Sequence, residues 1–109
     1  MPDQAVVTHR PERDAYVVDL AGDVDVDAVP DIELAISDAG RAGASRVVIG
    51  LSRVGFADSA IVHLLSSASH RYDLRLVGPL HPSVQRLLDM TGTAGRFPVE
   101  RDLEAALRR

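Results

Sequence analysis

At 109 residues the chain is sized for one domain with a core of its own, and its 46% apolar and 26% charged residues are the balance of an ordinary soluble protein. No apolar run is long enough to cross a bilayer, no charged-then-apolar leader opens the chain, and the absence of cysteine removes disulfide frameworks and thiolate metal sites, so a cytoplasmic protein is expected. A net charge of −4 with scattered arginines lacks the basic excess that a general nucleic-acid binder uses to displace phosphate counterions.

In chain order, Ala5–His9 and Asp14–Leu20 are short β-type runs, and in the second Tyr16, Val18 and Leu20 alternate with Val17 and Asp19. Only Arg10-Pro11-Glu12-Arg13 separates them, too little for a crossover, so they form an antiparallel hairpin. Gly22 is expected to end the second strand. An acidic loop, Asp23-Val24-Asp25-Val26-Asp27, follows, and Asp27 or a neighbour can cap a first helix with Pro30 in its first turn. Ile32, Ala35, Ile36 and Ala39 share one face of that helix, which Gly40 and Gly43 bring to a stop.

Arg46–Leu51 is a strand buried on both faces, Ser52-Arg53-Val54-Gly55 a polar bend, and Ser59 to about Tyr72 a second helix with apolar residues at Ile61, Leu64, Leu65, Ala68 and Tyr72. Leu74–Val77 is another strand, closed by Gly78-Pro79. Pro82 starts a third helix with Val84, Leu87 and Leu88 inward, and Gly92 ends it. Phe97-Pro98-Val99 reads as a last strand at a sheet edge, because Pro98 has no N–H for a ladder, and Asp102 caps a final helix. The order ββαβαβαβα over residues 1–109 implies one α/β domain: an N-terminal hairpin, then βα units in a mostly parallel sheet with right-handed crossovers. All 12 basic residues are arginine and asparagine is absent. Lysine and asparagine both use AA-starting codons, so this bias points to a GC-rich bacterial genome.

The stretch Val47–Leu65 carries the functional signal. A buried strand delivers Asp58-Ser59 to a helix start, where backbone N–H groups are unpaired and the dipole is positive. A serine there can carry a phosphate with little local disruption, although serine is also a common helix-start residue with no further role. Asp58 can cap the helix, orient the serine hydroxyl, or both.

These residues resemble the STAS domain, the fold of bacterial anti-sigma factor antagonists. Leu51-Ser52-x-Val54-x-Phe56-x-Asp58-Ser59 is similar to its signature loop, and Leu20-x-Gly22-Asp23-Val24-Asp25 to the turn after its second strand. Leu87-Leu88-x-Met90-Thr91-Gly92 and Asp102–Leu107 are similar to its third and last helices, so the resemblance covers nearly the whole chain. It implies a STAS-type fold and a phosphoacceptor at Ser59. It also implies a partner that is both anti-sigma factor and serine kinase, which the unphosphorylated domain binds to release a sigma factor. The chain departs from the family where the loop usually reads D-S-S-G-L: here it is Asp58-Ser59-Ala60-Ile61-Val62. The usual aspartate ending the central strand is Gly50, and the usual threonine near the first helix falls at Ala28.

The expected partner surface comprises Asp23, Asp25, Asp58, Ser59, Val62 and His63. Val62 and Leu34 fall off the apolar faces of their helices, and His63 and His70 lie on the non-core side of theirs. The acidic loop starts like an EF-hand, but its sixth position is Ala28 and its twelfth Leu34. No metal or cofactor is therefore expected; the loop should be solvated and offer negative charge to a partner. A serine hydrolase using Ser59 and His63 is disfavoured, since no G-x-S-x-G elbow surrounds Ser59 and no acid is placed to orient His63. The alternative inside the fold is a degenerate scaffold that binds a partner without being phosphorylated. Nothing in the residues sets the oligomeric state.

Overall fold

The computed structural model describes residues 4–108. Five strands form a sheet in the order β1-β2-β3-β4-β5: β1 Val6–Glu12, β2 Ala15–Val24, β3 Arg46–Ala57, β4 Asp73–Val77 and β5 Val99–Glu100. β1 runs antiparallel to β2, and every later pairing is parallel, as the short first connection and the helical later ones require. The helices are α1 Val29–Arg41, α2 Ser59–Arg71, α3 Pro82–Met90 and α4 Leu103–Leu107. This is the expected ββαβαβαβα order.

The alternation read in β2 sorts its side chains onto two faces. Tyr16, Val18 and Leu20 join Val47, Ile49 and Leu76 under α1, α2 and α3, while Val17, Val48 and Val77 face Ala106 of α4. Val48 and Ile49 are both 0% exposed, as a strand covered on both faces demands.

Besides β1, which runs on to Glu12 instead of ending near His9, three boundaries differ from expectation. First, β3 does not bend at Ser52 but continues to Ala57, and β2 continues past Gly22 to Val24 beside it. Gly22 (φ +84°) marks a register shift rather than an end, its left-handed backbone being one that glycine adopts without strain. The arm Ser52–Ala57 buries only Val54 and Ala57, a spacing of three that does not read as a strand. Second, the helix start after the acidic loop is capped by Asp25, which accepts from the Asp27 amide (3.0 Å) and opens a 3-10 turn over Val26–Ala28. Asp27 caps nothing, and α1 itself starts at Val29 without a side-chain cap. Third, the last strand is Val99–Glu100. It lies at the sheet edge as expected, but Phe97 is a core residue and the Pro98 carbonyl accepts from Leu76 N–H just ahead of the ladder.

Asp102 caps α4 through the Ala105 amide (2.8 Å). Arg46 then ties this end of the molecule together, donating to Asp73 (2.8 Å) and to the carbonyls of Ala106 (3.3 Å) and Arg108 (2.6 Å). Burial by itself pushes the Asp73 carboxyl up, but hydrogen bonds from Arg75 and Arg46 outweigh it and hold the group below its usual value. A carboxyl depressed in the folded state stabilises above its unfolded pKa, and that contribution is lost as pH falls through the folded value. Asp73→Asn should therefore destabilise the protein at pH 7, with the difference from wild type closing as pH falls below about 4. Because the Asp73 side chain is 44% exposed, solvent screening keeps the effect under about 1 kcal/mol. Urea melts of both proteins across pH 2–7 measure it, and a gap that persists at the acid end would reject the assignment.

Candidate functional site

The β3 arm carries the chain beyond the last β4 pairing at Gly50–Val77 and delivers Asp58 to the start of α2. Asp58 is extended (φ −112°, ψ −179°) and caps the helix: Oδ1 accepts from the Ala60 amide at 3.0 Å. Its other oxygen, Oδ2, accepts from the Val26 amide at 3.1 Å, joining the turn after β2 to the start of α2. Both oxygens of the carboxylate are thus committed to backbone amides.

Ser59, the first residue of α2, is exposed. Among the described residues its hydroxyl donates to no core carbonyl, and its exposure lets a reagent from solvent reach it. Among the described residues no hydrogen bond joins it to a histidine. His63 lies one turn further along the same helix side and is exposed, as is His70. The arrangement presents an exposed hydroxyl beside a helix N-terminus.

The acidic residues divide. Asp23 is half-buried in β2 opposite Phe56, Asp25 is spent as a cap, and Asp27 is exposed. Among the described residues no three His, Cys, Asp or Glu side chains converge on a point that could hold a metal ion.

Val62 is a correction. It is 7% exposed and belongs to the core, so it does not contribute to an open surface. The helix buries Ile61, Val62, Leu64 and Leu65, a wider stripe than the period alone suggested, because both the sheet and the adjoining helix α1 pack against it. Leu34 does stand in solvent, at 62% exposure.

Sequence reasoning missed three parts of the site. Val26 (60% exposed) and Phe56 (48% exposed) are large apolar side chains left in solvent. Ser83, the second residue of α3, donates through Oγ to the Gly55 carbonyl at 2.7 Å and pins the arm just before Phe56. His81 caps α3 by accepting the Ser83 amide at Nδ1 (3.1 Å), a role that no preference table would have assigned to it. The His81 cap is local but uses an uncommon capping residue, whereas Val26 and Ser83 acquire their places from Asp58 and Gly55, 32 and 28 residues away.

A shallow cleft of about 310 Å³ lies beside the arm, lined in part by Arg53, Gly55, Pro79 and His81. A larger one, about 580 Å³, sits at the opposite end of the sheet among Arg13, Ser45, Arg46 and Asp73. Its arginines are engaged within the protein, Arg13 with Glu104 and Arg46 with Asp73.

Gly50 ends the part of β3 that pairs on both sides. A Cβ there would run into the carboxylate of Asp19, its neighbour on β2, which also pairs with Arg10 at 2.9 Å. Gly50→Ala should cost about 1 kcal/mol, at the low end for overpacking because a carboxylate can rotate away. The loss should vanish in an Asp19→Ala background, and a denaturant melt of the double-mutant cycle reads it. Equal losses in both backgrounds would mean that Gly50 serves the backbone instead.

The model of the STAS domain family matches residues 5–106, and the chain belongs to that family. No curated protein matches its sequence. Among solved structures it is similar to an anti-sigma factor antagonist from Mycobacterium paratuberculosis, with 25% identity, a TM-score of 0.84, and 98% of this chain and 94% of that one covered. It is also similar to the anti-sigma factor antagonist SpoIIAA in its unphosphorylated form (21% identity, TM-score 0.77, 92% of each chain covered). The phosphorylated form of SpoIIAA, a Bacillus cell fate determinant, aligns with a TM-score of 0.69 at 21% identity, covering 92% of this chain and 96% of that one. Among the described residues no helix is long and apolar enough to cross a membrane.

Proposed function

We propose that this protein is an anti-sigma factor antagonist, a regulatory module rather than an enzyme. It binds an anti-sigma factor that is also a serine kinase, frees the sigma factor, and is switched off by phosphorylation at Ser59. The observation that carries the reading is the placement of Ser59: an exposed hydroxyl at the first position of a capped helix, on the family's signature loop. Asp58 supports it by holding the helix start rigid, and the positive helix end can accept the added charge. Asp23, Asp25 and His63 complete the partner-facing surface in this reading. Neither a metal nor a cofactor has a part in it, and the module works in the cytoplasm without contacting nucleic acid.

The test begins with a pull-down from the native host to obtain the kinase. The purified chain is then incubated with that kinase and ATP, and its intact mass is measured. A gain of one phosphate, absent in Ser59→Ala, is expected.

One observation favours the scaffold alternative. Gly50 stands where the family usually has an acid, and the Asp19 carboxylate fills the space that a side chain there would need. Ala60 and Ile61 add to the departure, and Ile61 is packed in the core. A partner that binds the chain but leaves its mass unchanged would establish that alternative.

A further inference from the structure

Capping does not explain why residue 58 is an aspartate. Asparagine or serine caps a helix about as well, and either would satisfy the Ala60 amide. Only a carboxylate can offer one acceptor to Ala60 (3.0 Å) and a second to Val26 (3.1 Å), which lies 32 residues earlier in the chain. The two segments joined in this way carry the exposed apolar side chains Val26 (60%) and Phe56 (48%), and Phe56 lies two residues before Asp58. Each segment is also braced on its own: Asp25 closes the 3-10 turn through the Asp27 amide, and Ser83 holds the Gly55 carbonyl.

We propose that Asp58 is a positioning residue for partner binding. Through Oδ2 it fixes the Val26 turn against the Phe56–Ser59 segment, so the partner meets a surface of two segments assembled in advance around Ser59. Holding such a surface before contact lowers the ordering cost of association. The identity of the partner rests on the antagonist reading above; the link between the two segments does not.

The test compares wild type with Asp58→Asn and Asp58→Ser in the whole chain. Both variants keep a cap for Ala60, and both deprive Val26 of its acceptor. Asparagine goes further and turns an N–H₂ toward the Val26 amide. Hydrogen exchange should show the Ala60 amide still protected and the Val26 amide exchanging at least about tenfold faster, because a charge-assisted bond has been lost. Affinity for the cognate anti-sigma factor kinase should fall about tenfold by titration calorimetry. KM for phosphorylation should rise while kcat stays close to wild type, since Ser59 and its helix are intact. Val26→Ala and Phe56→Ala should also lose affinity, with Ala60 protection unchanged. Unaltered Val26 exchange in both Asp58 variants overturns the proposal, and so does wild-type affinity despite faster exchange. If wild type itself binds no such kinase, the antagonist reading fails and the positioning role fails with it. Wild-type binding with unaffected variants refutes the positioning role alone.

Discussion

Ser59→Asp is expected to fold normally and to bind the anti-sigma factor kinase at least about tenfold more weakly than wild type, whereas Ser59→Ala should bind like wild type and resist switching off. The physical case starts from the charge already present. Asp58 cannot swing away from a new anion at residue 59 without abandoning the amides of Ala60 and Val26. A phosphate brings about −1.5 to −2 charges, and aspartate, with a single negative charge, supplies only part of that. The helix N-terminus offsets part of the repulsion, so the fold should hold. In the proposed complex, however, the added anion is expected to be desolvated against a kinase surface with acidic groups near the accepting hydroxyl. Charge misplacement of that kind costs several kcal/mol, and about 1.4 kcal/mol is already tenfold in affinity. Titration calorimetry of the three proteins against the purified kinase decides the matter. Equal affinities would mean that Ser59 is not the switch and that the departures at Gly50, Ala60 and Ile61 have retired it.

Ile49→Ala is the substitution expected to do most harm to the fold, at roughly 2–5 kcal/mol. Ile49 is fully buried in the middle strand of the sheet, flanked by Val18 of β2 and Leu76 of β4, both 0% exposed. Removing its outer carbons forfeits their transfer free energy and leaves a space that two paired strands and the covering helices cannot close. Against a total stability of about 5–15 kcal/mol, the loss is a large fraction. Urea denaturation should show a lower midpoint with an unchanged slope. Leu34→Ala, at an apolar side chain 62% exposed, is the control and should stay within about 0.5 kcal/mol of wild type. Comparable losses at the two positions would contradict the assignment of the core.

Where sequence and structure agree, the deciding physics is local or periodic. Alternation in Tyr16–Leu20, the apolar run Val47–Leu51 and the 3.6-residue stripes of α1 and α2 each state which face is buried, and the folded chain buries them. A hairpin connection too short for a crossover leaves only antiparallel pairing between β1 and β2. Caps at Asp58 and Asp102 depend on residues two or three positions away, so they too are legible in the chain.

Other features are settled by partners far off in sequence. Ser52–Gly55 looks like a bend, yet it is strand because the end of β2, shifted in register between Asp19 and Ala21 and again after Gly22, pairs with it. Val62 sits off the main helical stripe but is buried because α2 is covered from more than one side. The acceptor for Val26 and the donor for Gly55 come from Asp58 and Ser83, 32 and 28 residues away. Composition and periodicity thus determined the elements, their order and the exposed serine at a helix start. Only the tertiary structure decided what surrounds that serine, because a hydrogen bond or a covered face between distant segments leaves no trace in the spacing of either one.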